Sequence, residues 1–480
     1  MTSKTAAQAA RFVTGSTLRH VIVMAGTGAI GLMAVFAVDL ANLFYVSMLG
    51  DTSVAAAVGF AGTINFFHVA ISIGMTIGVS ATVARLLGAG QSAKARQVAT
   101  ASLAFMVLVT VVLSAATLLL LEPILDVLGA TGEARELTRQ FLYITAPTLP
   151  LLAIGMCTSA LMRSTGDARR AMTVTLTAAI VTAILDPILI FGLHLGLTGA
   201  AISNVIARVA LAWVGLYGVA RANRLIGRFQ ARRAWDDVRP VLKIALPAVL
   251  TNLATPVASA YVTHAMARFG PAAIAGQATI DRITPVAFAL IYALTGAVGP
   301  IVAQNLGAGR ADRIRETILN SLGFVLATVA LAWLVLAFAQ DGLIRAFSAQ
   351  GVTAEIISTF CSWLVASYAF VGCLFVANAT FNNLDRPLFS TIFNWGRTTL
   401  GTVPFVAAGI KHGPIGVLVG QAVGSAIFGL IAMIVAWRVV RRLPMVDCAR
   451  LARRHADEPA AASVSVPGAA AGNTVAPEVQ

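Results

Sequence analysis

Apolar runs about 20 residues long follow one another along most of this chain, and none shows the period-2 alternation of a membrane strand. In hydrocarbon every backbone N–H and C=O must be satisfied within the protein, which leaves helices or closed barrels. Runs of this length without alternation predict helices, and therefore an all-α polytopic membrane protein. Twelve transmembrane helices are expected, near 21–49, 55–84, 98–121, 141–162, 171–191 and 197–219, then 241–267, 273–305, 318–339, 356–381, 388–410 and 415–437. Only 11% of the residues are charged and 58% are hydrophobic, whereas a soluble domain carries about 25% charge. Lipid, not water, is the solvent for most of this surface.

The formal net charge of +14 resembles a nucleic-acid signal until the charges are placed. Of the 34 Lys and Arg, 26 fall on the N-terminus, the even-numbered gaps between spans and the C-terminal tail. Five (Arg135, Arg139, Arg268, Arg345 and Lys411) fall on the odd-numbered gaps, and Arg208, Arg282 and Arg397 fall inside spans. This alternation is the positive-inside pattern. It predicts a multi-pass protein of the bacterial inner membrane with both termini cytoplasmic, lipid as its surroundings and no nucleic-acid partner. Lys4, Arg11 and Arg19 precede a run too long for a signal-peptide core, so a retained first span is expected. Cys157, Cys361, Cys373 and Cys448 have no metal-ligand spacing, and neither a metal nor a cofactor is expected.

The chain also repeats itself. Leu87-Gly-Ala-Gly-Gln-Ser-Ala-Lys-Ala-Arg96 and Leu306-Gly-Ala-Gly-Arg-Ala-Asp-Arg-Ile-Arg315 share five of ten residues at an offset of 219. At an offset of 217, Pro187 meets Pro404, Gly192 meets Gly409 and Gly199 meets Gly416. Two parallel six-helix halves follow, an arrangement that places substrate at mid-membrane between the lobes. The expected division is a cytoplasmic segment 1–20, lobes 21–220 and 241–440, a linker 221–240 lying on the membrane surface, and a tail 441–480 disordered towards its end.

Charge within a span is costly and marks function by default. Asp186 stands before Pro187, which frees the carbonyl of Ala183, so carboxylate and carbonyl together suit a proton or small cation. A hydrogen bond to a neighbouring helix is the other reading. Asp39 has Asn42 one turn away, which suits either a cation site or the wall of a wet cavity. Asn204 and Arg208 share a helix face, and Arg208 is placed to pair with Asp186 or Asp39. Asp281 with Arg282, and Arg397 with Asn394, are candidates for the second lobe's cavity. His68 and His264 titrate near neutral pH in isolation, though a lone histidine in a span is more often a structural hydrogen bonder. Phe66, Phe67, Tyr261, Tyr292, Phe288, Met75 and Met266 suit a pocket for apolar cations and equally suit packing.

At these residues the chain resembles the MATE (multidrug and toxic compound extrusion) family. The resemblance rests on Leu185-Asp-Pro-Ile-Leu-Ile-Phe-Gly192 with Gly199-Ala-Ala-Ile202, on Gln304-Asn-Leu-Gly-Ala-Gly309, on Leu49-Gly50 with Ala55-Ala-Ala-Val-Gly59, and on Ser164-Thr-Gly-Asp167. It covers roughly residues 20–440. It implies two pseudo-symmetric six-helix bundles around a central chamber, and proton- or sodium-driven antiport of organic, often cationic, compounds. The family's span-5 acid falls on Asp186 and its small polar residue in span 6 on Asn204. The usual span-1 acid position is Asn42, with the acid at Asp39 instead, and the usual Asn before the span-5 acid is Thr182. These departures favour protons over sodium.

The ion-coupling set expected is Asp186, Asp39, Asn42, Thr182 and Asn204. The chamber set is Phe66, His68, Arg208, Tyr261, Asp281, Arg282 and Arg397. Small organic molecules are the expected partners of a monomer. A lipid-linked saccharide flippase of a related two-lobed fold is the alternative. No span carries clustered His, paired acids at metal spacing or a nucleophile motif, which argues against an enzyme.

Overall fold

The computed structural model describes residues 10–48 and 52–443. Lys4, Leu49-Gly50, Cys448 and the tail beyond Leu443 lie outside the described residues.

The first half holds α1 (Thr17–Met48), α2 (Thr52–Gly88), α3 (Ser92–Leu119), the short α4 (Leu121–Val127), α5 (Gly132–Thr145), α6 (Leu149–Ser164), α7 (Ala168–Pro187) and α8 (Gly196–Tyr217). The second holds α9 (Ala231–Ala267), α10 (Pro271–Ala287), α11 (Ala289–Gly307), α12 (Ala311–Ala346), α13 (Val352–Ser362), α14 (Tyr368–Asn383), α15 (Pro387–Gly396), α16 (Val403–Gly409) and α17 (Gly413–Arg441). Among the described residues there is no strand. Eleven helical stretches are long and apolar enough to cross a membrane. The last of them, Pro387–Arg441, turns back at Ile410–His412, which makes twelve crossings, as the apolar runs predict.

Several interruptions fall at proline. Pro147 sits within the 3-10 turn Ala146–Thr148 between α5 and α6, and Pro150 opens α6 just after it, because proline has no amide hydrogen to continue the ladder. Past Pro187 the chain runs on as a π-helical turn, Ile188–Gly192, and a second such turn, Arg397–Thr402, precedes Pro404. The stretch expected as a surface linker is divided. Residues 223–230 are non-helical, but α9 begins at Ala231, so Trp235 and Arg239 ride on the first turns of the seventh crossing.

Two cores hold the helices together. The larger contains Phe288, Ile291 and Phe381 of the second half and takes in Phe12, just ahead of α1, with Val21, Met24 and Ala25 from its start. The other contains Val79, Met106 and Leu161 of the first half and takes in Val241 and Ala245 from the start of α9. Each half thus plants the beginning of its first crossing in the core of the other. The contacts lie at the end of the bundle where most Lys and Arg gather, termed the basic end here. At the opposite end, two of the five basic residues are neutralised: Arg135 by Glu122 and Asp126, Arg139 by Glu136.

Candidate functional site

Asp186 closes α7 and is only 2% exposed. Pro187 follows it, and the π-helical turn carries the chain round into α8. Ser203 of α8, fully buried, faces the carboxylate, within reach of a hydrogen bond though outside strict bonding geometry. Thr182, one turn back on α7, and Asn204, beside Ser203, are half-buried. No ion pair reaches Asp186 or Asp39 among the described residues.

Asp39 lies on α1, which packs along α7, and its side chain is open rather than enclosed. One turn on, Asn42 has its Oδ1 shut away without a hydrogen-bond partner. A turn further, Tyr45 meets Phe191 edge-on with ring centroids 5.7 Å apart. The outer end of α1 therefore rests on the π-helical turn that follows Asp186. No hydrogen bond or ion pair joins the two acids directly.

Arg208 does not take the role the sequence offered it. Its Nη1 donates to the carbonyl of Thr145 at 2.7 Å and to Thr148 Oγ1 at 2.9 Å. Thr145 is the last residue of α5, where carbonyls lack partners and the helix dipole favours a cation. The guanidinium is thus held by a helix end, and the expected pairing with Asp186 or Asp39 does not form. His68 is equally interior. Thr117 Oγ1 donates to Leu113 O, so His68 Nε2, 2.9 Å away, donates to Thr117. His264 is exposed.

In the second half, Asp281 and Arg282 are exposed, and Asp281 accepts from Gln277 Nε2 at 2.9 Å. Tyr261 donates to the carbonyl of Val403 at 3.3 Å. Phe66 and Phe67 are exposed and edge-to-face, 6.2 Å apart. Phe288, Met75 and Met266 belong to the cores. Asn394, expected beside Arg397 on a cavity wall, is buried and donates to Asn378 Oδ1. Helix α15 is fixed to α9 by Thr391, Trp395 and Thr398, which donate to the carbonyls of Pro247, Leu250 and Ala254. Arg397 stands between the last two anchors and, at about 100° per residue, points elsewhere, towards Tyr292 and Tyr368.

Sequence reasoning missed Ser203, Gln277 and Tyr368. Gln277 was readable as an amide one turn before Asp281. Ser203 was not, because only the register of the α7–α8 hairpin brings it to Asp186. No group of three or more His, Cys, Asp or Glu suited to a metal occurs among the described residues.

A family model described as MatE matches residues 29–188 and again 247–406, two copies in the register of the internal repeat. Among curated relatives, the "FAD transporter" of Shewanella oneidensis is 30% identical over 420 residues, covering 85% of this chain and 92% of that one. "Multidrug export protein MepA" of Staphylococcus aureus (strain N315) is 23% identical over 416 residues, covering 85% and 91%. Among solved structures, the Vibrio cholerae MATE transporter VcmN superposes with a TM-score of 0.85 at 23% identity, over 88% of this chain and 97% of that one.

Proposed function

The chain is a member of the MATE family of efflux transporters, and we propose that it exports small organic compounds by alternating access in exchange for an inward-moving cation. The basic end then faces the cytoplasm of a bacterial inner membrane, a reading that the 26-to-5 distribution of Lys and Arg supports. The lobes meet at that end, which supports an outward-facing reading of the arrangement. The names of the relatives place drugs and a dinucleotide within the range of similar proteins. Neither name favours a saccharide flippase.

The observation that carries the coupling site is Asp186, a buried carboxylate on a proline-broken helix with no cation paired to it. Its repeat counterpart, at the 217-residue offset, is Val403, so coupling belongs to the first lobe alone. Thr182 and Ser203 offer hydroxyls beside Asp186 rather than a second carboxylate, which favours a proton over sodium. Asp39, Asn42 and Asn204 assist: Asp39 and Asn42 share the α1 segment that Tyr45 seats on the π-helical turn, so a change at Asp186 reaches α1 through that turn.

The test uses purified protein in liposomes with ethidium as cargo and a pH or a sodium gradient imposed separately. Asp186→Asn should abolish gradient-driven export while the protein still folds. Full export by that variant removes Asp186 from the mechanism, and export driven by sodium alone removes the proton.

A further inference from the structure

We infer that Arg397 forms a subsite in the second lobe for a phosphate or carboxylate group carried by an aromatic cargo, an inference that rests on the export reading above. Arg282, the third arginine within a span, is exposed, and every other described arginine that is not exposed has a hydrogen-bond partner. Arg208 binds Thr145 and Thr148, Arg163 donates to Ser159 Oγ, and Arg313 binds Asn305 and the carbonyl of Phe12. Arg397 is largely buried, yet none of its guanidinium N–H groups has an acceptor among the described residues, and its Nε is closed off from solvent as well. A guanidinium in a membrane interior without acceptor or counter-charge is costly, and such residues line substrate paths.

The surroundings specify an anion with an aromatic body. The ionisable groups facing Arg397 are the hydroxyls of Tyr292 and Tyr368. No carboxylate lies within ion-pair distance of Arg397 among the described residues, and the carboxylate of Asp281 accepts from Gln277. The positive charge is therefore not neutralised by an acid. Beside it stands an aromatic wall, with Tyr292 against Phe375 at 5.6 Å and Tyr368 stacked on Phe288 at 4.0 Å. Arg397 opens the π-helical turn Arg397–Thr402, a distortion found often at functional sites. A planar guanidinium matches phosphate and carboxylate bidentately.

The repeat argues against a purely structural role. At the 217-residue offset the counterpart of Arg397 is Ile180, and that of Asp186 is Val403. If the bundle needed a cation at this level for packing, both halves would need it. At these two aligned positions the acid stands only in the first lobe and the base only in the second.

The test compares riboflavin with riboflavin 5′-phosphate, which differ only in the phosphate, by quenching of flavin fluorescence on purified protein in detergent. The native protein should bind the phosphate ester at least tenfold more tightly. In Arg397→Gln the two should bind alike, and Arg397→Lys, which keeps the charge but not the bidentate fork, should retain part of the difference. No phosphate preference in the native protein, or an undiminished one in Arg397→Gln, overturns the inference. A further arm adds phosphatidylglycerol: if the lipid erases the native preference, the subsite belongs to lipid headgroups and the cargo assignment fails. Binding needs no ion gradient, so failure of gradient-driven export would refute the proposed function and leave this result standing.

Discussion

Gln304 of α11 donates its side-chain N–H to the carbonyl of Ser164, at the end of α6, across the boundary between the lobes at 2.7 Å. Moved by the 219-residue repeat, the same contact is Arg85 of α2 donating to the carbonyl of Asn383 at the end of α14, also at 2.7 Å. Other contacts follow the same two-fold relation. A Cβ on Gly88 would collide with the carbonyl of Gln304, and one on Gly307 with that of Arg85. Lys94 reaches Asp237 at the start of α9 at 2.5 Å, while its counterpart Arg313 reaches Phe12 and Thr14 ahead of α1. The Leu-Gly-Ala-Gly repeat is thus the material of a reciprocal seal at the basic end, and its first glycine in each copy is required by the approach of a carbonyl.

Such a seal must part for the chamber to open on that side. Gly307→Val forces a side chain onto the Arg85 carbonyl, a clash of about 2 kcal/mol by the usual overpacking costs, enough to shift a two-state population by more than tenfold. Spin labels at Ala93 on α3 and Glu316 on α12, in a cysteine-free background, should report longer distances in this variant than in the parent. An unchanged distance distribution would mean that the glycine contact does not hold the sealed state.

Arg208 should matter for stability rather than for coupling. Arg208→Met removes the charged donor from the carbonyl of Thr145, which keeps only the Thr148 hydroxyl, at a cost of about 2 kcal/mol for a lost hydrogen bond to a charged group. Thermal unfolding in detergent should show a lower midpoint, with the pH dependence of export unmoved. A shifted pH profile at unchanged stability would restore Arg208 as the partner of Asp186.

The fold was legible because hydrocarbon leaves little choice. Apolar length gave the crossings, and Leu87–Arg96 against Leu306–Arg315 gave the duplication that the family model matches twice. The burial of Asp186 was legible too, since it stands before proline within an apolar run. Partnerships were not. Sequence spacing puts Arg208 on the face of Asn204, yet Arg208 reaches a helix end that exists only because Pro147 breaks the fourth crossing. Met75, Met266 and Phe288 have the chemistry of a pocket wall but face the cores, and helical spacing alone does not say which neighbour a face meets. Gln304 and Asn305 were legible as a motif without a role, because their partners, Ser164 and Phe12, lie 140 and 293 residues away.

Pro187 offers the sharpest separation of stability from transport. Alanine there restores an amide hydrogen to the carbonyl of Ala183 and removes a helix-interior proline worth about 3 kcal/mol, so Pro187→Ala should unfold at a higher temperature. The same change regularises the π-helical turn that seats Phe191 against Tyr45, and with it the ring contact that links the acid's surroundings to the outer end of α1. Export should fall about tenfold although Asp186 is intact, as expected where local strain serves function. Pro404→Ala makes the equivalent change in the second lobe, where Val403 stands in the acid's place, and should leave the gradient dependence of export as it was. If both variants lose export equally, the prolines serve helix geometry in both lobes and the coupling does not run through the turn after Asp186.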